Sequence, residues 1–141
     1  MRVKPIILAM ISAIALSAAA LAHEEMLEGS EWGVVGDDGE SARYISFAGS
    51  GQVFGFGGCN RFTGTYEQHE GHLTIKPMAA TRMACATDIM QKENGFLGIL
   101  GKARGVKVDH TLLLFLDEAG GDLKAMTRRN AEAGSGSGSE E

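Results

Sequence analysis

The sequence GGCNRFTGTY occupies residues 57–66 and joins a glycine-rich corner to the start of a β-strand. Two adjacent glycines permit a tight turn, and Cys59 and Asn60 follow them directly. Residues 62–66 are rich in aromatic and β-branched side chains, a composition typical of strands. The preceding run QVFGF, residues 52–56, has the same character. The corner is therefore predicted to connect two strands.

Further short strands are predicted on both sides of this corner, because apolar runs alternate with turns rich in glycine and acidic residues. The eight predicted strands cover residues 32–35, 43–47, 52–56, 62–66, 72–76, 105–108, 111–116 and 123–127. Pro77 is expected to end the fifth strand, since proline cannot donate to a ladder. The unbroken apolar run 112–116 predicts a central strand that is buried on both faces.

One helix is predicted over residues 87–100, with Thr87 as its N-cap. Its apolar side chains recur at the spacing of one helical face, at Ile89, Phe96, Leu97 and Leu100. Gly95 and Gly98 each weaken a helix by about 1 kcal/mol relative to alanine, which predicts close approach to strands or a frayed last turn. The order of elements predicts an α+β domain, an antiparallel β-sheet of about eight short strands wrapped around a single α-helix.

Composition limits the class of protein. The chain has 141 residues, of which 44% are hydrophobic and 22% charged, as expected for one globular domain. Its formal net charge is −5, so neutralisation of phosphates cannot dominate its interactions. We therefore expect no nucleic-acid partner.

The N-terminal residues 1–22 have the features of a cleaved signal peptide. A basic start precedes an apolar run that is too short to span a bilayer, and Ala20-Leu21-Ala22 supplies the small residues of a cleavage site before His23. We expect an exported protein of the periplasm or the extracellular medium, soluble after signal cleavage and without an integral membrane span. Residues 23–130 are predicted to form the domain, and the Gly/Ser/Glu-rich residues 131–141 a disordered tail.

Two motifs and a set of predicted helical residues resemble the META domain family, which includes heat-inducible exported bacterial proteins. They are GCNRFTGTY at 58–66, MAATRMAC at 78–85, and Glu93 with Phe96, Leu97 and Leu100. Trp32 also lies where such domains usually carry a tryptophan. The resemblance implies a small β-rich domain around one helix, linked to envelope stress, secretion or virulence, with no established catalytic activity or cofactor. Unlike many bacterial relatives, this sequence has no anchoring cysteine directly after its predicted signal.

The two cysteines, Cys59 and Cys85, are 26 positions apart. An even number of cysteines in an oxidising compartment predicts one disulfide, which the chain-entropy model values at about 3.5 kcal/mol. Two buried free thiols and a redox-active pair are the alternatives. The redox alternative gains some support because Cys85 lies just before the predicted helix.

Polar residues of both motifs form a possible recognition patch. If the bridge forms, Asn60 and Arg61 must lie near Thr81 and Arg82, because the Cα atoms of bridged cysteines are roughly 6 Å apart. In a structural interpretation, Asn60 satisfies backbone groups and the arginines cover apolar surface. In a functional interpretation, two guanidinium groups bind an acidic peptide or a carboxylate.

No catalytic, cofactor or metal site is predicted. His69 and His72 are three residues apart across a predicted turn, the acidic turn 36–40 lacks the ligand spacing of an EF-hand, and no serine lies in a nucleophile elbow. Three methionines near the helix start could pack in the core or line an adaptable apolar groove: Met78, Met83 and Met90. We expect a monomeric, non-enzymatic binding domain whose partner is an envelope protein or an apolar small molecule. A purely structural domain with a flexible tail and an unrecognised redox or hydrolytic enzyme are the alternatives.

Overall fold

The computed structural model describes residues 26–129, so the predicted signal peptide and C-terminal tail lie outside the described residues. Eight antiparallel strands close into a barrel in chain order, with the last strand pairing with the first. The strands are β1 (Ser30–Val34), β2 (Tyr44–Ala48), β3 (Gln52–Phe56), β4 (Arg61–His69), β5 (His72–Ala80), β6 (Gly105–Asp109), β7 (Leu112–Leu116) and β8 (Asp122–Arg128). The α-helix α1 (Thr87–Lys102) connects β5 to β6.

The hairpin between β4 and β5 shows why strands adjacent in the chain are also adjacent in the barrel. Its two turn residues, Glu70 and Gly71, have φ of 48° and 77°. A two-residue turn in the left-handed region matches the twist of the strands that it joins. His69 consequently lies opposite His72, and both side chains are exposed.

A single core fills the barrel because alternate strand residues point inward. Its largest fully buried strand side chains include Trp32, Ile45, Phe47, Phe62, Leu73, Leu113, Phe115 and Met126. The helix adds Phe96 and Leu100, both 0% exposed. The rings of Phe62 and Phe96 meet edge to face with their centroids 6.1 Å apart, a favourable aromatic arrangement. The helix therefore completes the core.

The predicted antiparallel strands and helix are present, but the sheet does not wrap around the helix. Instead the sheet closes on itself, and α1 packs where β5 and β6 diverge. These two strands pair only at His72 and Gly105, beside the hydrogen bonds from the Leu73 amide to Arg104 and from the Val106 amide to Gly71. Closure of the barrel protects strand edges, and the helix covers the remaining gap.

The prediction that Pro77 ends the fifth strand is wrong, since β5 continues to Ala80. The ladder between β4 and β5 changes register between Thr63 and Thr65, opposite this part of β5. Such a bulge accommodates a residue that has no amide hydrogen. The longer strand delivers the chain to the other end of the barrel before the helix begins.

The prediction that residues 112–116 are buried on both faces is also wrong. Leu113 and Phe115 are buried, whereas Leu112 is 48% exposed and Leu114 is half-buried. In a closed barrel the outward face of each strand meets solvent unless another element covers it. The apolar residues on this outer face therefore account for the incorrect prediction that β7 is a central strand.

The helix differs from its prediction at both glycines and at its cap. Ala86 is the N-cap residue and makes no side-chain capping bond, so Thr87 is the first helical residue and not the predicted N-cap. A Cβ atom added at Gly95 or Gly98 would meet no atom within 4 Å outside its own helix and chain neighbours. These glycines face solvent, and neither serves a close approach to the strands.

We expect Gly95→Ala and Gly98→Ala each to raise the free energy of unfolding by up to about 1 kcal/mol, because alanine has the higher helix propensity. Urea unfolding of the single variants would measure the gain. Gly57→Ala is the opposing control, since its Cβ would lie 2.6 Å from the Cγ atom of Glu93. Unchanged or lower stability for both helix variants would contradict the expected gain from helix propensity.

Within residues 26–129, no helix combines the length and apolar character needed to cross a bilayer.

Candidate functional site

A disulfide joins Cys59 to Cys85, with their Cα atoms 6.0 Å apart. This confirms the predicted bridge and excludes the alternative of two free thiols. Cys59 is buried in the corner before β4, whereas Cys85 lies in an exposed stretch just before α1. The bond therefore fastens the start of the helix region to the barrel.

Glu93 is the buried centre of a hydrogen-bond network at this corner. Its carboxylate accepts hydrogen bonds from the backbone amides of Cys59 (3.0 Å) and Asn60 (2.6 Å) and from Nδ2 of Asn60 (2.7 Å). Burial raises the pKa of Glu93, but the hydrogen bonds from Asn60 and Cys59 outweigh burial and hold its pKa below the ordinary value. The site thus contains a buried anion at neutral pH.

Glu93 carries part of the family resemblance, but the sequence alone predicted no role for it. Gly57 was the sequence feature that could have indicated the position of Glu93, since any Cβ atom at Gly57 would collide with the Glu93 side chain. A glycine beside a turn usually indicates only conformational freedom, so the close approach was not predictable from its position alone.

Asn60 extends the network to residues 81–86, which we call the tethered loop. Its Oδ1 accepts from the hydroxyl of Thr81 (2.9 Å) and the amide of Met83 (2.6 Å). Its Nδ2 donates to the Met83 carbonyl (3.2 Å) as well as to Glu93. All four hydrogen-bonding positions of the amide are therefore used. The contacts of Asn60 match the structural interpretation, in which it satisfies backbone groups.

The tethered loop is held in place although its side chains are not buried. All six of its residues are exposed, and the loop has no regular secondary structure. The Thr81 amide donates to the carbonyl of Arg61 (3.0 Å), and its hydroxyl accepts from the Arg61 amide (3.2 Å). Hydrogen bonds fix Thr81 and Met83, and the disulfide fixes Cys85. Polar and covalent bonds, rather than hydrophobic packing, thus fix this loop.

The four residues of the predicted patch adjoin one another, but they differ in accessibility. Asn60 is only 3% exposed, whereas Arg61, Thr81 and Arg82 are exposed. Neither guanidinium group has a hydrogen-bond or ion-pair partner in the described part of the chain. The accessible chemistry is therefore that of two arginines beside the exposed side chain of Met83, which is 59% exposed.

The three methionines do not share one environment. Met78 packs against the core, Met90 is half-buried in the helix, and Met83 projects from the tethered loop. Core packing thus describes Met78, while Met83 adds apolar surface beside Arg61 and Arg82.

A separate surface depression of about 570 Å³ lies at the far end of β5 from the tethered loop. Charged side chains contribute to its lining beside apolar ones, including Arg104, Lys107, Glu118, Val106 and Leu116. Among residues 26–129, no three histidine, cysteine, aspartate or glutamate side chains are grouped so that they could hold a metal ion.

Acidification tests the charge of the buried network. Because the pKa of Glu93 is lowered in the folded protein, its contribution to stability is present at neutral pH and lost as pH falls through that lowered pKa. Asp37, whose pKa is lowered by its hydrogen bond with Arg43, acts in the same direction. We expect urea unfolding between pH 7 and roughly pH 3 to show falling stability, with a smaller fall in Glu93→Gln. Equal slopes in both proteins would contradict this role of Glu93.

The fold and site define a small antiparallel β-barrel domain in which a disulfide and a buried carboxylate fasten an exposed loop. The sequence model of the META domain family matches residues 25–130, so the chain belongs to the META domain family. This confirms the resemblance drawn from the motifs.

Solved structures that are similar to this chain include two determined by NMR. A protein from Burkholderia xenovorans, determined by NMR, is 24% identical with a TM-score of 0.61, and the match covers 74% of this chain and 84% of that chain. A second NMR structure is 25% identical with a TM-score of 0.57, covering 76% and 93%. No curated protein sequence matches the chain. These likenesses support the fold.

Proposed function

We propose that this protein is an exported, non-catalytic, envelope- or stress-associated META domain that binds a protein partner through the tethered loop and Arg61. The observation that carries the proposal is that this loop is exposed throughout and yet fixed by Asn60 and the disulfide. A loop that only connects two elements does not need such bracing. The disulfide also suits an oxidising compartment, in agreement with the predicted signal peptide.

Preorganisation explains how such a loop would favour binding. Fixing the backbone in advance reduces the conformational entropy that is lost when a partner binds. Arginine and methionine are enriched in protein interfaces, and arginine is frequent among residues that dominate binding energy. Arg61 and Arg82 favour a partner surface with exposed carboxylates, which arginine binds with two parallel hydrogen bonds.

The chemistry of the other surfaces favours a binding site at the tethered loop over two alternatives, thiol catalysis and the binding of an apolar small molecule. Both cysteines are bonded to each other, which leaves no thiol nucleophile. The depression at the far end of β5 mixes apolar and charged lining residues, whereas the tethered loop is held by Asn60 and the disulfide. A protein partner at the loop is therefore the better supported interaction.

Export is tested by intact mass spectrometry of the protein recovered from the exported fraction. We expect a chain that starts at His23 and is two hydrogens lighter than the reduced form. Retention of residues 1–22 in the recovered protein would contradict export with cleavage.

Binding is tested by affinity capture from the exported fraction with wild-type protein and the double variant Arg61→Ala/Arg82→Ala. The control Lys102→Ala/Lys107→Ala removes the same charge at exposed positions outside the loop. We expect one or more proteins to be captured by wild type and control but lost with the arginine variant. Identical capture by all three would contradict binding at the loop and favour a purely structural role.

A further inference from the structure

Backbone groups in and before the tethered loop alternate between bonded and free. Thr81 and Met83 are tied to Arg61 and Asn60 by the hydrogen bonds described above. The intervening residue Arg82, and Ala84 after Met83, make no hydrogen bond within residues 26–129. Arg82 and Ala84 therefore keep their amides and carbonyls available, whereas the carbonyl of Ala86 accepts from the Met90 amide (3.0 Å).

The same alternation extends back to Ala80 at the end of β5. Ala80 lies opposite Phe62, next to the hydrogen-bonded pair of Arg61 and Thr81. In an antiparallel ladder, the neighbour of a hydrogen-bonded pair directs its amide and carbonyl to the other edge of the strand. On that edge, the pairing of β5 with β6 within the described residues is limited to His72. Ala80, Arg82 and Ala84 thus form a row of alternate residues whose backbone groups do not pair with β4.

A serine protease requires free backbone groups on alternate residues of the segment that it binds. Peptides bound as added strands use the backbone groups of alternate residues, and side-chain pockets supply specificity. In trypsin-like enzymes, the side chain before the cleaved bond enters a pocket with an aspartate. Arg82 is exposed and without an ion-pair partner in the described part of the chain, so its guanidinium group can enter such a pocket.

We propose that the tethered loop inhibits a trypsin-like serine protease by occupying its active-site cleft, with Arg82 in the acidic specificity pocket. This inference rests on the proposed function, because it names the class of protein that the loop binds. Ala80 and Ala84 would align on either side of Arg82 along the cleft, and the peptide bond between Arg82 and Met83 would face the catalytic serine.

The bracing of the loop favours inhibition over cleavage. Asn60 binds both backbone groups of Met83, and Glu93 in turn holds the amide of Asn60. Cys85 is fastened to Cys59 two residues further on. The part of the chain after Arg82 therefore cannot leave the cleft, as a peptide leaving group must. Protease–inhibitor complexes are likewise formed with little backbone movement.

The test uses the mature, disulfide-bonded protein against bovine trypsin with a small chromogenic arginine substrate. We expect concentration-dependent inhibition by wild-type protein. Arg82→Ala is expected to raise the inhibition constant about 30-fold or more, as for a residue that dominates an interface. Lys107→Ala is the matched control, because it removes the same charge at an exposed position outside the loop, and we expect a change below about threefold. Equal thermal melting of the three proteins would establish that all are folded.

A second variant tests the assignment of Arg82 to the specificity pocket. Arg82→Phe is expected to transfer inhibition from trypsin to chymotrypsin, whose pocket is apolar. Lack of trypsin inhibition, equal inhibition by Arg82→Ala, or rapid cleavage after Arg82 without inhibition would each overturn the inference. If trypsin is not inhibited but affinity capture still depends on the arginines, the proposed function stands and the protease inference fails. If capture is also independent of the arginines, both fail.

Discussion

Glu93→Gln is expected to lower the free energy of unfolding by about 3 kcal/mol at neutral pH, because buried donors lose a charged acceptor. The carboxylate accepts three hydrogen bonds, from two backbone amides and the Asn60 side chain. Glutamine offers one carbonyl oxygen and places an NH₂ group against the remaining donors. Urea unfolding would measure the loss, which is a large part of the roughly 5–15 kcal/mol that stabilises a domain.

The same substitution should release the tethered loop, since Glu93 orients the amide of Asn60. Hydrogen exchange at the Met83 amide is expected to become faster in Glu93→Gln at a pH where the variant is still folded. Glu118→Gln removes a charge from an exposed turn and is the control, with both stability and exchange expected to stay near wild type. Wild-type stability and exchange in Glu93→Gln would show that the network does not brace the loop.

Replacing both cysteines, as in Cys59→Ser/Cys85→Ser, is expected to lower stability by about 3.5 kcal/mol. Their sequence separation is 26, and the loss follows from the greater chain entropy of the unfolded state without the cross-link. Chemical denaturation under oxidising conditions would show the difference between wild type and variant.

Treatment with a reducing agent distinguishes the effect of losing the cross-link on stability from local effects of the serine side chains. Wild-type protein treated with reductant should approach the stability of the double variant, whereas the variant should not respond. A wild-type protein that keeps its full stability after complete reduction, verified by mass, would contradict the stabilising role of the bridge.

The sequence predicted the individual strands better than it predicted their closure into a barrel. Strand β3 was predicted with its observed bounds, 52–56, because alternating apolar residues report which side chains point inward. The pairing of β1 with β8 joins distant parts of the chain and leaves no local pattern. The continuation of β5 past Pro77 depended on a bulge formed with β4, which was also a property of the pair rather than of one segment.

The candidate site was predictable to the extent that a covalent bond constrained it. The bridge between Cys59 and Cys85 implied that Asn60 and Arg61 lie near Thr81, and the structure places them in contact. The role of Met83 was not predictable, because Asn60 binds its backbone and not its side chain. A hydrogen bond to the backbone leaves no signature in the residue type that it fixes.

Because β5 and β6 diverge, the longest connection in the described part of the chain takes no part in the strand pairing of the barrel. The segment 81–104 enters after β5 has finished pairing with β4 and returns just before β6. Substitutions at Arg82 or Ala84 therefore alter no strand register and remove no core side chain. Substitution in this loop can therefore change what the protein binds while the barrel scaffold remains constant.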